Sequence, residues 1–292
     1  MEESISRKLG FLGPKGTHSE AVANHLLSTY PEKFQSAIPY DTIYETINAV
    51  ANDEIEYCVV PIENSIEGSI NITLDTLVHE VNLKINHELI WAVHNQLLVK
   101  DQKTEIKYIV SHPQPLAQCH NFLQKNYPLA KIIPVDSTAK AAEIVAGGAE
   151  NYAAIATNVA AKLYNLEIKA SDIEDMNTNC TRFVVLHKDK QEVLGTKVAT
   201  AIVCQLKGDN AGALCEILQE FAKRNVNLTK IESRPARTGL GEYIFFLNIE
   251  GSVLTENIKE TLTAVAEKCL WVKNLGSFNV EKIDNKIKKV VI

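Results

Sequence analysis

Up to about His187 the chain alternates short apolar runs with segments of helical spacing, and this alternation does most to narrow the folds open to it. Residues 8–13 read as a strand ending at Gly13-Pro14, and helical patterns follow over 19–28 and 41–51. Residues 57–62 form a short apolar strand bounded by Pro61, 89–99 a longer strand and 106–111 another short one. A helix over 115–125 precedes a strand at 132–135, and an alanine-rich helix over 138–146 stops at Gly147-Gly148. Strands at 153–157 and 183–187 close the set. Strands separated by helices usually run parallel, so the expected class is α/β with a largely parallel sheet.

After His187 the character changes. Residues 187–197 are polar and charged and include Gly195, which marks a linker. Beyond it the order is strand (198–206), helix (212–224), strand (226–233), strand (243–249), helix (255–268) and strand (270–278). Leu214, Ile217, Leu218 and Phe221 recur at three- and four-residue steps and give the first of these helices one apolar face. The β-α-β-β-α-β order is the ferredoxin-like plan. The expected domains are therefore 8–187 and 198–280, and 292 residues suffice for both.

Composition excludes several classes. Hydrophobic residues at 46% and charged residues at 23% support a packed core rather than disorder. A net charge of -6 without a basic block leaves nucleic acid an unexpected partner, so any anion site must be built locally. No apolar run approaches the roughly 20 residues of a bilayer span, and residues 1–10 lack the apolar region of a secretory leader, so no membrane association is expected. Cys58, Cys119, Cys180, Cys204, Cys215 and Cys269 are scattered, mostly in apolar patterns, without a C-x-x-C pair; free thiols in the cytoplasm are expected. The eight histidines show no H-E-x-x-H and no zinc spacing. Neither a metal nor a cofactor is expected, and His94 reads as a core residue of its strand.

Five polar loops adjoin strands in the first domain. Gly13-Pro-Lys-Gly-Thr17 and Ser19 form a tight strand-to-helix turn that can cap a helix or hold an anion on its amides. Asn64, Ser65, Glu63 and Glu67 gather at the mouth of a strand, where α/β folds place ligands, but Asn64 and Ser65 equally suit helix capping. Ser111-His-Pro-Gln114 continues to Gln118, a rigid loop with amides that also fits a proline-started helix. Ser137 and Thr138 repeat the hydroxyl theme and fit a plain N-cap. Arg182 can grip a carboxylate in a bidentate pair or serve a structural ion pair.

Taken in order, Gly13-Pro-Lys-Gly-Thr17, Val60-Pro-Ile-Glu-Asn-Ser65, Ser111-His-Pro-Gln114, Ser137-Thr-Ala139 and Asn179-Cys-Thr-Arg-Phe183 resemble the motifs of the prephenate dehydratase family. The second domain is similar to that family's regulatory ACT domain through Gly212-Ala-Leu214 and Glu232-Ser-Arg-Pro235. Two positions depart from the family pattern: His18 replaces an aromatic residue, and Ala211 stands where a proline is common, with Asp209 or Asn210 left to cap the helix.

The resemblance implies a two-lobed catalytic domain like a periplasmic binding protein, with 8–80 and 182–187 in one lobe and 88–171 in the other. It implies a cofactor-free lyase converting prephenate to phenylpyruvate, with water and carbon dioxide lost. Thr181 would hydrogen-bond the departing hydroxyl, with Asn64 and Gln118 beside it, and Glu63, Glu67 and His112 as rival acids. Thr17, Ser65, Ser111, Gln114, Ser137, Thr138 and Arg182 would bind substrate. Phenylalanine would be the allosteric inhibitor, held by Gly212, Ala213, Leu214, Glu232, Ser233, Arg234 and Pro235 between the ACT domains of a homodimer or homotetramer. Because few residues precede Lys8, a fused chorismate mutase is not expected. Arogenate dehydratase and a non-catalytic amino-acid-binding regulator are the alternatives.

Overall fold

A computed structural model describes residues 7–176, 178–189, 197–208, 210–239 and 241–284. The expected linker falls largely outside them, as does Asp209. The described residues divide into two compact units. One takes them from Met1–Thr73, Ile90–Phe183 and Lys282–Ile292, the other from Leu74–Leu89 and Val184–Glu281.

The first unit holds two sheets. In one, the strand order is Lys84–Ala92 (its last residues), Cys180–His187 (its first), Tyr57–Asn64, Lys8–Leu12 and Ser36–Tyr40. Lys8–Leu12 runs parallel to both Ser36–Tyr40 and Tyr57–Asn64. Helix His18–Thr29 buries Val22, Ala23 and Leu26, and Ile43–Ala51 buries Ile47, Ala49 and Val50. The second helix is set by a capping box in which Thr42 and Glu45 satisfy each other's backbone amides.

The other sheet has the order Glu167–Ala170, Gln96–Val99, Tyr152–Ala156, Tyr108–Ser111, Lys131–Pro134. Helix Thr138–Ala146 brings Ala141, Ala142 and Val145 against Leu98, Val110, Ala154 and Ala156 in one buried cluster. The small side chains let the helix lie close to the sheet. The expectation of parallel strands holds for Tyr108–Ser111 with both its neighbours, but Gln96–Val99 is antiparallel to both of its own.

That difference has a local cause. Residues 89–99, expected as one strand, are two: Lys84–Ala92 belongs to the first sheet and Gln96–Val99 to the second. Between them the amides of Val93 and Asn95 leave the ladder. Val93 donates to the Asn179 carbonyl at 2.9 Å and Asn95 to the Glu174 carboxylate at 2.9 Å. The chain crosses back near 171–179, and the crossovers are laced together. Ile173 donates to the Asn95 carbonyl at 3.0 Å, and the Gln96 amide exchanges two hydrogen bonds with Asp172. The helix expected over 115–125 likewise splits into Pro113–Gln118 and His120–Asn126. The Asp175 carboxylate accepts from the amides of Asn121 and Phe122, which restarts the helix there.

The second unit follows the expected plan: Val198–Leu206, helix Ala213–Lys223, Leu228–Pro235, Tyr243–Glu250, helix Glu256–Lys268 and Cys269–Ile283. Its sheet runs Leu228–Pro235, Tyr243–Glu250, Val198–Leu206, Cys269–Ile283, then the first residues of Lys84–Ala92. Ile202, Cys204, Ile217, Phe221, Leu247, Ile249, Ile258 and Val265 form the core under the two helices. Among the described residues no helix is long and apolar enough to cross a membrane.

Candidate active site

Asn64 ends the strand Tyr57–Asn64 and Thr181 begins near the start of Cys180–His187, and these strands are neighbours. The Asn64 amide is buried at the centre of a network. Its Nδ2 donates to Thr181 Oγ1 at 3.0 Å and lies 3.1 Å from Asn179 Oδ1 and 3.3 Å from the Cys180 carbonyl. Its Oδ1 accepts from the amides of Ile66 and Glu67, which fixes the amide's orientation. Asn179 Nδ2 in turn donates to Gln118 Oε1 at 3.1 Å. A hydroxyl has one proton and two lone pairs, so a Thr181 oxygen that accepts from Asn64 keeps its proton for another acceptor.

That acceptor would lie in a cavity of about 250 Å³ lined by Thr17, His18, Asn64, Asn95, His112, Gln114, Gln118, Asp136, Ser137, Thr138 and Thr181, among others. Two helices of 12 and 9 residues, His18–Thr29 and Thr138–Ala146, start at its wall. Thr17 and Ser137 are their N-caps, each accepting from the backbone three residues on. None of the described residues lining the cavity is lysine or arginine. An anion here would be met by helix N-termini and neutral donors rather than by formal positive charge.

Glycine is required at one point of this wall. Gly16 has φ +89°, and a Cβ there would lie 3.4 Å from the Cβ atoms of Ala139 and Ala160. Its carbonyl accepts from Thr157 Oγ1 at 2.7 Å, which ties the first loop to the element that carries Asn158–Leu163.

Four predicted residues have other occupations. The Ser111 hydroxyl is fully buried and donates to the Ile155 carbonyl at 2.6 Å. Ser65 Oγ accepts from the Cys180 amide and donates to the Thr178 carbonyl, which fixes the segment beside Thr181. Arg182 pairs with Glu63 at 2.6 Å, which occupies one of the rival acids. Glu67 lines a neighbouring cavity of about 410 Å³ that shares Gln114 and Gln118 with the first. His112, the remaining rival, lines the first cavity; its Nδ1 accepts from the Gln114 amide, so the neutral ring carries its proton on Nε2.

Sequence reasoning passed over Asn95 and gave His94 only a packing role. His94 is buried as expected, but its Nδ1 meets Glu174 Oε1 at 2.7 Å. The Glu174 hydrogen bond raises the imidazole above its usual range against the effect of burial. Burial pushes the Glu174 carboxyl up, but its bonds from His94 and the Asn95 amide hold it below the usual range. His94, Asp172 and Glu174 bring possible metal-ligating atoms within 4.8 Å of one another. The 2.7 Å contact is that of a charge-assisted hydrogen bond, so the geometry is that of an ion pair. Burial, reinforced by the His94 charge, drives His18 down to about 4, so it is a neutral imidazole at pH 7.

The sensor residues fall on two elements of the second unit. Gly212 is the N-cap of Ala213–Lys223, with φ +94° and open space where a Cβ would project. Glu232 to Pro235 end the strand Leu228–Pro235, where Ser233 and Pro235 are exposed and Glu232 and Arg234 half-buried.

The family model for prephenate dehydratase matches residues 9–191. The chain belongs to that family. The ACT domain model matches residues 200–267. A prephenate dehydratase of Methanocaldococcus jannaschii is 40% identical over 270 residues, 91% of this chain and 96% of its own. One of Lactococcus lactis subsp. cremoris is 36% identical over 277 residues, 94% and 98% of the two chains. Among solved structures, the prephenate dehydratase of Arthrobacter aurescens in complex with L-Phe matches with a TM-score of 0.83 at 31% identity, covering 93% of this chain and 90% of its own. The chain shares its mixed α/β fold with that structure and carries its ACT domain at the C-terminal end.

Proposed function

We propose that the protein is a carbon-oxygen lyase that converts prephenate to phenylpyruvate, and that phenylalanine inhibits it through the ACT domain. The observation that carries the catalytic reading is the Asn64-to-Thr181 hydrogen bond at the cavity wall. The substrate's ring carboxylate leaves as carbon dioxide, its bonding electrons enter the ring, and the C4 hydroxyl leaves with its electron pair. The Thr181 proton goes to that oxygen and is restored from water. Hydroxide is a poor leaving group, its conjugate acid having a pKa of about 15.7, but a threonine hydroxyl is a comparably weak acid and concerted transfer is reasonable. Aromatisation supplies the driving force, so positioning and donors suffice.

The helix starts at Thr17 and Ser137, with Thr138, Gln114 and Gln118, would receive the two carboxylates. The two family-model ranges, 9–191 and 200–267, support a catalytic domain over 8–187 and a regulatory one over 198–280. Phenylalanine would bind near Gly212 and the Glu232–Pro235 segment in a homodimer or homotetramer. The described cysteines are free, which supports a reducing, cytoplasmic setting.

The test is product formation from the purified protein with prephenate and with arogenate, each with and without phenylalanine. Phenylpyruvate from prephenate, reduced by added phenylalanine, is the expected result. Turnover of arogenate alone would change the substrate, and binding of phenylalanine without any turnover would replace the enzyme by a regulator.

A further inference from the structure

We propose that Asn95 is a substrate-binding residue whose side-chain amide hydrogen-bonds a substrate carboxylate in the cavity lined by Thr181 and Gln118. This deepens the prephenate reading and rests on it. It adds a contact from a residue outside every motif that marked the site in the sequence.

Asn95 lines the cavity, is 1% exposed, and its Nδ2 is buried without a hydrogen-bond partner. The rest of the residue is firmly held. Its N–H goes to Glu174 Oε2 at 2.9 Å and its carbonyl accepts from Ile173 at 3.0 Å. Glu174 Oε1 is engaged by His94 at 2.7 Å, so the carboxylate that anchors Asn95 is itself fixed. The protein therefore locks the backbone of Asn95 while leaving its side-chain Nδ2 without a partner. Burying a donor without a partner costs stability, and such groups are retained where a ligand completes them.

The surroundings identify the ligand group. Gln118 Nε2 is a second buried donor without a partner, and its residue lines the same cavity. Two buried amide nitrogens without partners and two helix starts, with no lysine or arginine and with Asp136 the one carboxylate among the described lining residues, make a wall rich in donors. In the proposed mechanism prephenate's hydroxyl faces Thr181; its ketone and two carboxylates are all acceptors, and the charged carboxylates gain most from a buried donor.

The experiment uses full-length protein with Asn95→Ala and Asn95→Asp, assayed with prephenate from pH 6 to 9, with thermal unfolding alongside. A lost hydrogen bond to a charged group predicts a fall in kcat/KM of about tenfold to a hundredfold for Asn95→Ala, mostly in KM, with the melting temperature retained. Asn95→Asp, of the same shape but anionic, should fall below Asn95→Ala and recover as pH is lowered. Wild-type KM and kcat in Asn95→Ala, or equal activity of both variants at every pH, would overturn the proposal. Calorimetric titration of phenylpyruvate gives a readout independent of turnover and of how well Asn95→Asp folds. Phenylpyruvate keeps only the side-chain carboxylate, so weaker binding by Asn95→Ala than by wild type supports a contact to that group, and equal binding together with wild-type KM for prephenate overturns the proposal. A wild type that binds phenylpyruvate but turns over no prephenate would sink the dehydratase reading alone.

Discussion

Asn64 Nδ2 lies 3.0 Å from Thr181 Oγ1, so the amide donates to the hydroxyl and leaves its proton directed elsewhere. In the proposed mechanism the pair would act as a chemical unit, the amide orienting the hydroxyl and stabilising the negative charge that grows on it. Thr181→Ala should lower kcat at least about tenfold, on the scale of a positioned acid. Thr181→Ser should keep most of the activity. Asn64→Ala should approach the effect of Thr181→Ala, and the double variant should be little worse than either. Independent, multiplying losses in steady-state kinetics would show that the two do not act together.

The His94–Glu174 pair makes a stability prediction with a defined window. Glu174 keeps His94 protonated above its ordinary range, so that contribution is complete below about pH 6.5 and is lost as pH rises through the raised value. Glu174 sits below its ordinary range, so its contribution is present above about pH 4.3 and is lost only in more acid solution. Stability from the pair should peak between these limits. His94→Ala, which strands a buried carboxylate, should cost about 3 kcal/mol in denaturant unfolding at pH 6, and less at pH 9. A constant difference across that range would mean that packing alone is lost.

His18 acts in the opposite sense. Its folded value of about 4 lies below the unfolded value near 6.5, so the unfolded chain binds more protons between them. Stability must then decline as pH falls through 6.5, and the decline is complete below 4. His18→Phe removes the titration and should flatten this acid limb by on the order of 2–3 kcal/mol. Identical acid limbs in the two proteins would place the ring in contact with water.

How far the sequence revealed the site depends on which face of a strand each residue takes. Asn64 and Thr181 stood out through the family motifs that carry them, and both line the cavity. Their neighbours Glu63 and Arg182 shared the same motifs but pair with each other, because successive residues on a strand point to opposite faces. Asn95 was hidden because the polar triplet His94-Asn95-Gln96 sits between two apolar runs, 89–93 and 97–99, that together look like one long strand. The break is made by hydrogen bonds to Asn179 and Glu174, far along the chain. The second unit was read almost element for element, since its helices and strands are each long enough to show their period.

Arg234 lies in the segment assigned to phenylalanine, yet its guanidinium is engaged. Nε and Nη2 reach Asp75 Oδ1 at 3.0 and 2.9 Å, and Arg237 takes the other carboxylate oxygen at 2.6 Å. Asp75 and Arg234 are each about 15% exposed, so water only partly weakens the pair. On this geometry Arg234 holds the residues after Leu74 rather than the ligand. Asp75→Asn and Arg234→Gln should therefore shift the phenylalanine inhibition curve in the same direction, each by about fivefold or more. The double variant should shift it no further than Asp75→Asn alone, since loss of the carboxylate already breaks the Arg234 contact. Calorimetry locates the effect. Comparable affinity losses in both variants fit a shared structural contact. Loss of phenylalanine binding in Arg234→Gln, with Asp75→Asn unaffected, would put the guanidinium on the ligand instead.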